Sequence, residues 1–178
     1  EGTDIKQLES CHATVMDWSK KTNKEHAPYH IDIAKAMRQH ADKFADLMTR
    51  ETGKLMNDGK TEVERCAQIF EYTAKHGPTE LADEERTHSG GKKRGIVAHM
   101  PIGIIYSIQP WNFPVYQPAR VLAANLMAGN AVILKHAALC TGSGLMLRDV
   151  CLEAGLPKGL FDVVVIDHDT SDQLIAHK

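Results

Sequence analysis

The chain has 178 residues, 43% of them hydrophobic and 25% charged, and a formal net charge of −2. This composition suits one packed core or part of a larger one and excludes a disordered chain, while the interspersed charge leaves no footprint for nucleic acid or an anionic membrane. No apolar run reaches the roughly 20 residues that cross a bilayer, and neither a signal peptide nor an Arg-rich transit segment follows Glu1, so the default expectation is a cytoplasmic protein whose true start lies upstream.

In chain order, Thr22 and Glu25 have capping-box spacing. Ile33, Met37, Phe44, Leu47 and Met48 then recur at helical intervals until Gly53 offers a stop. One long amphipathic helix over about Glu25–Glu51 is predicted. Ten histidines raise the question of a metal, and His26 and His30 are four apart. Pro28 between them argues against a helical ligand pair and no acidic partner completes a site, so they are read as solvated and no metal is expected. A second helix over about Asp58–His76 places Val63, Cys66, Ala67, Phe70 and Ala74 on one face and ends at Gly77-Pro78.

Residues 79–100 are polar, with Gly90-Gly91 and the basic run Lys92-Lys93-Arg94 read as a solvated loop, before Arg94–Met100 turns apolar enough for an exposed strand or hairpin arm. From Pro101 the texture changes. Gly103–Ile108, Ala131–Lys135 and Asp162–Ile166 are short Val- and Ile-rich runs bounded by Gly, Pro or Asn, as strands buried on both faces should be. Helical patterns over about Val115–Ala128 and Thr141–Ala154 fill the gaps, and Asp167–Lys178 opens another. Strand alternating with helix predicts an α/β fold, part of a doubly wound parallel sheet preceded by helices and a strand arm. Gly142-Ser143-Gly144 lacks the third glycine of a dinucleotide fingerprint and is read as a helix start. The four cysteines, Cys11, Cys66, Cys140 and Cys151, lack paired spacing and are expected to be reduced thiols.

Most informative is Ile108-Gln109-Pro110-Trp111-Asn112-Phe113-Pro114, where the first buried strand meets its crossover helix. In open α/β sheets ligands bind at the carboxyl ends of strands. A Pro-bracketed turn fixes the backbone, and Pro114 suits the first turn of a helix. Asn112 can then present its amide to the crevice as a preorganised donor. The same position equally suits a helix N-cap, and Trp111 and Phe113 equally suit a core.

This heptapeptide resembles the PWNFP signature of the aldehyde dehydrogenase superfamily. Glu51-Thr52-Gly53-Lys54, Glu62-Val63, Pro101-Ile102-Gly103, Ala128-Gly129-Asn130, Leu134-Lys135 and Glu153-Ala154-Gly155-Leu156-Pro157 follow in the family's order over nearly the whole chain. The resemblance implies that residues 1–178 are a partial N-terminal cofactor-binding domain, that residues 79–100 hold an oligomerisation arm, and that the catalytic domain is absent. It implies NAD or NADP as cofactor, an aldehyde as substrate, a homo-oligomer when full length, and neither nucleic acid nor membrane as partner. In the family the signature asparagine, here Asn112, donates to the aldehyde oxygen while a cysteine thiolate adds to the carbonyl.

Ile108, Pro110, Trp111 and Asn112 would face the cofactor, and Lys135 resembles the lysine that bonds the adenosine ribose; by position alone Lys135 reads equally as an exposed strand-end charge. Many members place Glu three residues after that lysine; here His136 follows it and Ala138 stands in the glutamate's place, so nothing repels a 2'-phosphate and NADP becomes as suitable as NAD. His136 can assist that phosphate or be a solvated loop residue. Arg120 resembles the arginine that takes a substrate carboxylate, or is a surface salt-bridge arginine. The local sequence looks most like the bacterial succinate-semialdehyde dehydrogenase branch, and the family's nucleophile and general base match no residue of this chain. The rival reading is a non-catalytic homologue serving as a subunit partner or cofactor-binding fragment.

Overall fold

The computed structural model describes residues 11–87 and 94–176. Helix α1 covers residues 11–18, α2 Asn23–Gln39, α3 Ala41–Thr52 and α4 Met56–Glu80. Strands β1 (Glu84–Thr87) and β2 (Arg94–Val97) form an antiparallel pair. The remaining chain alternates β3 (Ile104–Gln109), α5 (Tyr116–Met127), β4 (Ala131–His136), α6 (Thr141–Glu153), β5 (Phe161–Val164) and α7 (His168–Ala176). The sheet order is β3-β4-β5, all parallel, with Ile108 opposite Lys135 and Gln109 opposite His136. The predicted α/β alternation and the exposed arm are therefore present. Gly90, Gly91, Lys92 and Lys93 lie outside the described residues.

Buried alternation along the strands explains the layering. Val132, Leu134, Phe161 and Val163 join Leu122, Leu126, Leu147 and Val150 of the crossover helices in one core, backed by Ile33, Met37, Phe44 and Phe70 of α2, α3 and α4. Ile133 and Val164 point the other way and meet Cys11 of α1 and Leu174 of α7. Among the described residues no helix is long and apolar enough to cross a membrane.

Several sequence expectations need correcting. The single helix over Glu25–Glu51 is two helices, because His40 leaves helical geometry (φ −100°, ψ 10°) and its ring bonds Glu153 of α6 at 2.8 Å. Packing of α3 against α6, not a local glycine or proline, redirects the chain there. The start is as predicted: Thr22 Oγ1 accepts the Glu25 N–H at 3.3 Å and the Glu25 carboxylate accepts the Thr22 N–H at 2.7 Å. Gly77-Pro78 does not end α4, which runs on to Glu80. Gly77 serves a close approach instead, since a Cβ there would meet Met127 Cγ at 2.5 Å.

Nor are His26 and His30 solvated, for Pro28 is accommodated inside α2 and both rings are buried. His26 lies 3.1 Å from the carbonyls of Met127 and Trp18 and stacks on Trp18 at 4.1 Å. His30 contacts the carbonyls of His26 at 3.1 Å and Ala123 at 2.9 Å. These rings knit α2 to α5.

Two measurements follow from this packing. A Cβ on Gly59 would lie 2.9 Å from Ala45 Cα, a backbone atom that cannot rotate away. Gly59→Ala is expected to destabilise the chain by ~1–3 kcal/mol through overpacking between α3 and α4; an unchanged urea midpoint would refute the close approach. Desolvation holds the His30 imidazole below its ordinary value of 6.5 despite its two carbonyl contacts. A depressed histidine contributes stability above the unfolded value, and that stability is lost as pH falls through the folded one. Unfolding free energy should therefore decline on acidification below about 6.5, by up to ~1.4 kcal/mol per pH unit for one linked proton, and His30→Gln should flatten that slope. An identical slope in the variant would remove His30 as its source.

Candidate active site

The corner between β3 and α5 carries the sequence signature. Trp111 and Phe113 do not form core, being 59% and 39% exposed. Nor is Asn112 the cap of α5. Val115 holds the N-cap position without a side-chain bond of its own, and the first free amides are satisfied from another element: Glu62 Oε1 accepts the N–H of Val115 at 2.8 Å and of Tyr116 at 2.9 Å. Such a carboxylate satisfies orphan donors and complements the positive end of the helix.

The Glu62 charge is compensated by an ion pair with Lys54, the pair being 2% and 16% exposed. Lys54 Nζ also lies 3.5 Å from the Asn112 carbonyl oxygen and 4.5 Å from the Phe113 ring centroid. Two further contacts tie the corner to the end of β4. Cys140 Sγ donates to the Trp111 carbonyl at 3.7 Å, and His136 Nε2 donates to the Pro114 carbonyl at 2.7 Å. The backbone from Trp111 to Tyr116 is thus held from α4, the loop before it and the sheet.

Asn112 stands on a cleft of about 540 Å³ whose walls include Lys54, Glu62, Arg65, Phe113 and Tyr116. Among the described residues its carboxamide has no hydrogen-bond partner, so the amide is free to donate into that space.

Lys135 does not lie in that cleft. It is 9% exposed, which corrects the reading of an exposed strand-end charge. With His136, Ala138 and Thr141 it lines a smaller recess of about 60 Å³ at the carboxyl ends of β4 and β5, where dinucleotides bind in open parallel sheets. No carboxylate lines that recess. Ile108, on the adjacent strand opposite Lys135, is exposed, as is Pro110.

His136 is a buried strand end and not a solvated loop residue. The Ala137 N–H donates to Nδ1 at 2.9 Å, so Nε2 must carry the proton it gives to Pro114. Burial lowers its pKa and keeps the ring neutral, with both nitrogens spent on the backbone.

Arg120 is exposed, donates to Gln117 Oε1 at 3.0 Å and lies 5.9 Å from the Tyr116 ring centroid. It has no ion pair among the described residues, so the salt-bridge alternative finds no partner there. Tyr116 joins it to the rim of the larger cleft.

Gly142-Ser143-Gly144 does begin a helix. Its N-terminus is occupied by Glu51, whose carboxylate accepts from Gly142 N at 2.7 Å, Ser143 N at 3.1 Å and Ser143 Oγ at 2.6 Å. None of the four cysteines resembles an activated nucleophile: all are buried, and burial pushes Cys11 and Cys140 up to about 11 and raises Cys66 and Cys151 as well. Sequence reasoning gave no roles to Glu51, Lys54 and Glu62. The available signal was their place in segments that follow the family's order.

Comparison with known proteins agrees with this geometry. Residues 5–178 match the aldehyde dehydrogenase family. The chain is 35% identical over 170 residues to the NADP(+) succinate-semialdehyde dehydrogenase of Deinococcus radiodurans, covering 96% of this chain and 35% of that protein. It is 32% identical over 169 residues to the NAD(P)+ succinate semialdehyde dehydrogenase of Escherichia coli, covering 94% and 36%. It superposes with a TM-score of 0.95 and 31% identity on the crystal structure of succinic semialdehyde dehydrogenase from Streptococcus pyogenes in complex with NADP+, covering 100% of this chain and 39% of that one. The chain spans about a third of the length of these curated relatives. With the signature corner, the parallel sheet and this match in agreement, the chain belongs to the aldehyde dehydrogenase family.

Proposed function

We propose that this chain is the cofactor-binding and oxyanion-stabilising part of an NADP-dependent dehydrogenase acting on a semialdehyde that bears a carboxylate, such as succinate semialdehyde. The observation that carries the reading is an asparagine whose backbone is fixed on both sides while its carboxamide stands free on a cleft of about 540 Å³. In this reading Asn112 donates to the aldehyde oxygen as negative charge builds there. A preorganised donor of this kind contributes ~10² to 10³ in rate.

Lys135 fits the ribose subsite because it is a compact cation at the carboxyl end of a parallel strand, in a recess that Thr141 also lines. Ala138 in place of a carboxylate leaves the same recess free of charge repulsion toward a 2'-phosphate, and the relatives' names, which specify NADP(+) or NAD(P)+, support that preference. When bound, the nicotinamide accepts hydride from the substrate. Ile108, Pro110 and Trp111 offer it an exposed surface, whereas His136 serves by holding Pro114 and not by touching phosphate. Arg120 is assigned the substrate carboxylate, which a guanidinium fork can grip bidentately. The nucleophilic thiolate and general base are assigned to portions of the enzyme that the longer relatives contain, and residues 79–100 to an oligomer contact in a cytoplasmic enzyme.

Calorimetry on this chain should show NADP binding more tightly than NAD, with Lys135→Met weakening both; equal affinities would overturn the 2'-phosphate preference. Mixed with either cofactor and succinate semialdehyde, the chain alone should produce no reduced nicotinamide, and turnover would refute the missing-nucleophile assignment. In a chimera where residues 11–176 replace the matching segment of the Deinococcus radiodurans relative, Asn112→Ala should lower kcat ~10² to 10³-fold. A loss below about tenfold would remove Asn112 from the oxyanion role, since one donor of this kind is worth more.

A further inference from the structure

We propose that Lys54 and Glu62 are positioning residues for Asn112, their buried ion pair fixing the two sides of the corner from which the carboxamide projects. The inference rests on the oxyanion role given above to Asn112 and names residues that act through it. Glu62 spends one carboxylate oxygen on the amides of Val115 and Tyr116, at 2.8 and 2.9 Å, and the other on Lys54. Lys54 spends its ammonium on Glu62, on the Asn112 carbonyl at 3.5 Å and on the face of Phe113 at 4.5 Å. The segment on the carboxyl side of Asn112 is thus clamped by the acid, and Asn112 itself by the base.

A plain α3–α4 staple would not need this arrangement. Buried ion pairs can often be replaced by apolar residues without loss of stability. Here an apolar pair would leave two helix-initiating N–H groups with no acceptor, because α5 supplies no side-chain cap of its own. Lys54 lies 58 residues and Glu62 53 residues before the atoms they hold, so neither contact is imposed by local chain geometry. Both side chains also line the cleft on which Asn112 opens.

The test uses the full 178-residue chain labelled with ¹⁵N, with no ligand present. Lys54→Met should shift the Asn112 carboxamide cross-peaks. Glu62→Gln should accelerate hydrogen exchange at Val115 and Tyr116 by about tenfold or more relative to α2 amides such as Ile33, the loss expected when a charge-assisted bond becomes a neutral one. Lys54→Arg, which preserves the charge and the reach to both partners, should restore the Asn112 signal. Uniform acceleration across all helices, or Asn112 cross-peaks that stay in place in Lys54→Met, would reduce the pair to a staple and overturn the proposal. If Lys54→Met does not fold, Lys54→Arg and Glu62→Gln still decide it: a displaced Asn112 signal in the arginine variant, or protection at Val115 and Tyr116 unchanged in the glutamine variant, contradicts it. Because no substrate enters these readouts, a failed aldehyde assay leaves them standing, and they can fail while the enzymatic reading survives.

Discussion

Glu62 receives the first free amides of α5 while Lys54 neutralises it, and the carboxyl edge of the sheet is built around that contact. A helix whose start is buried, as this one is at Val115, has orphan N–H groups and little water to satisfy them. The local sequence offers no acceptor, since Pro114 and Val115 precede the helix. A carboxylate from α4 fills the need, but it is buried and costly unless paired. Lys54 supplies the charge, and because its ammonium also reaches the Asn112 carbonyl, the same device that starts the helix locates the signature corner.

The pattern is used a second time. Glu51 does for α6 what Glu62 does for α5, receiving Gly142 and Ser143. The N-terminal helices therefore supply the anions for both crossover helices. One consequence is chemical. A free helix N-terminus attracts phosphate, but here both positive ends are already occupied by protein carboxylates. The cations left at this edge are discrete side chains: Lys135 in the smaller recess, Arg65 on the larger cleft and Arg120, which has no ion pair among the described residues.

Features set by neighbours in the chain were legible in the sequence. The Thr22–Glu25 capping box, the Gly53 stop with φ +72°, the three parallel strands and their crossover helices all announce themselves within a few residues, although only β4 and β5 are buried as expected while β3 is largely half-buried with Ile108 exposed. The Asn112 corner was legible as a candidate donor, although its competing reading as a cap was eliminated only by finding Glu62 in that office. What escaped was fixed by distant partners. The break at His40 depends on Glu153, and the burial of His26 and His30 depends on carbonyls of α5 and its C-terminal turn, about a hundred residues on. Pro78 misled because a proline ends a helix only where nothing else holds it, and packing of α4 against α5 outweighs the missing bond; Pro28 misled only as an argument against burial of the two rings, since α2 runs through it.

The corner joins a held backbone to an uncommitted side chain. Trp111, Asn112 and Pro114 carbonyls each receive a donor from elsewhere in the fold, and the amides of Val115 and Tyr116 each find an acceptor. The carboxamide between them has no partner among the described residues. An amide bonded to the protein would have to break that contact before serving a ligand, and one on a loose loop would have to be ordered first. With its root held and its tip free, Asn112 avoids both costs, which is the condition that the oxyanion role proposed for it requires if a single neutral donor is to favour a developing anion over an uncharged carbonyl.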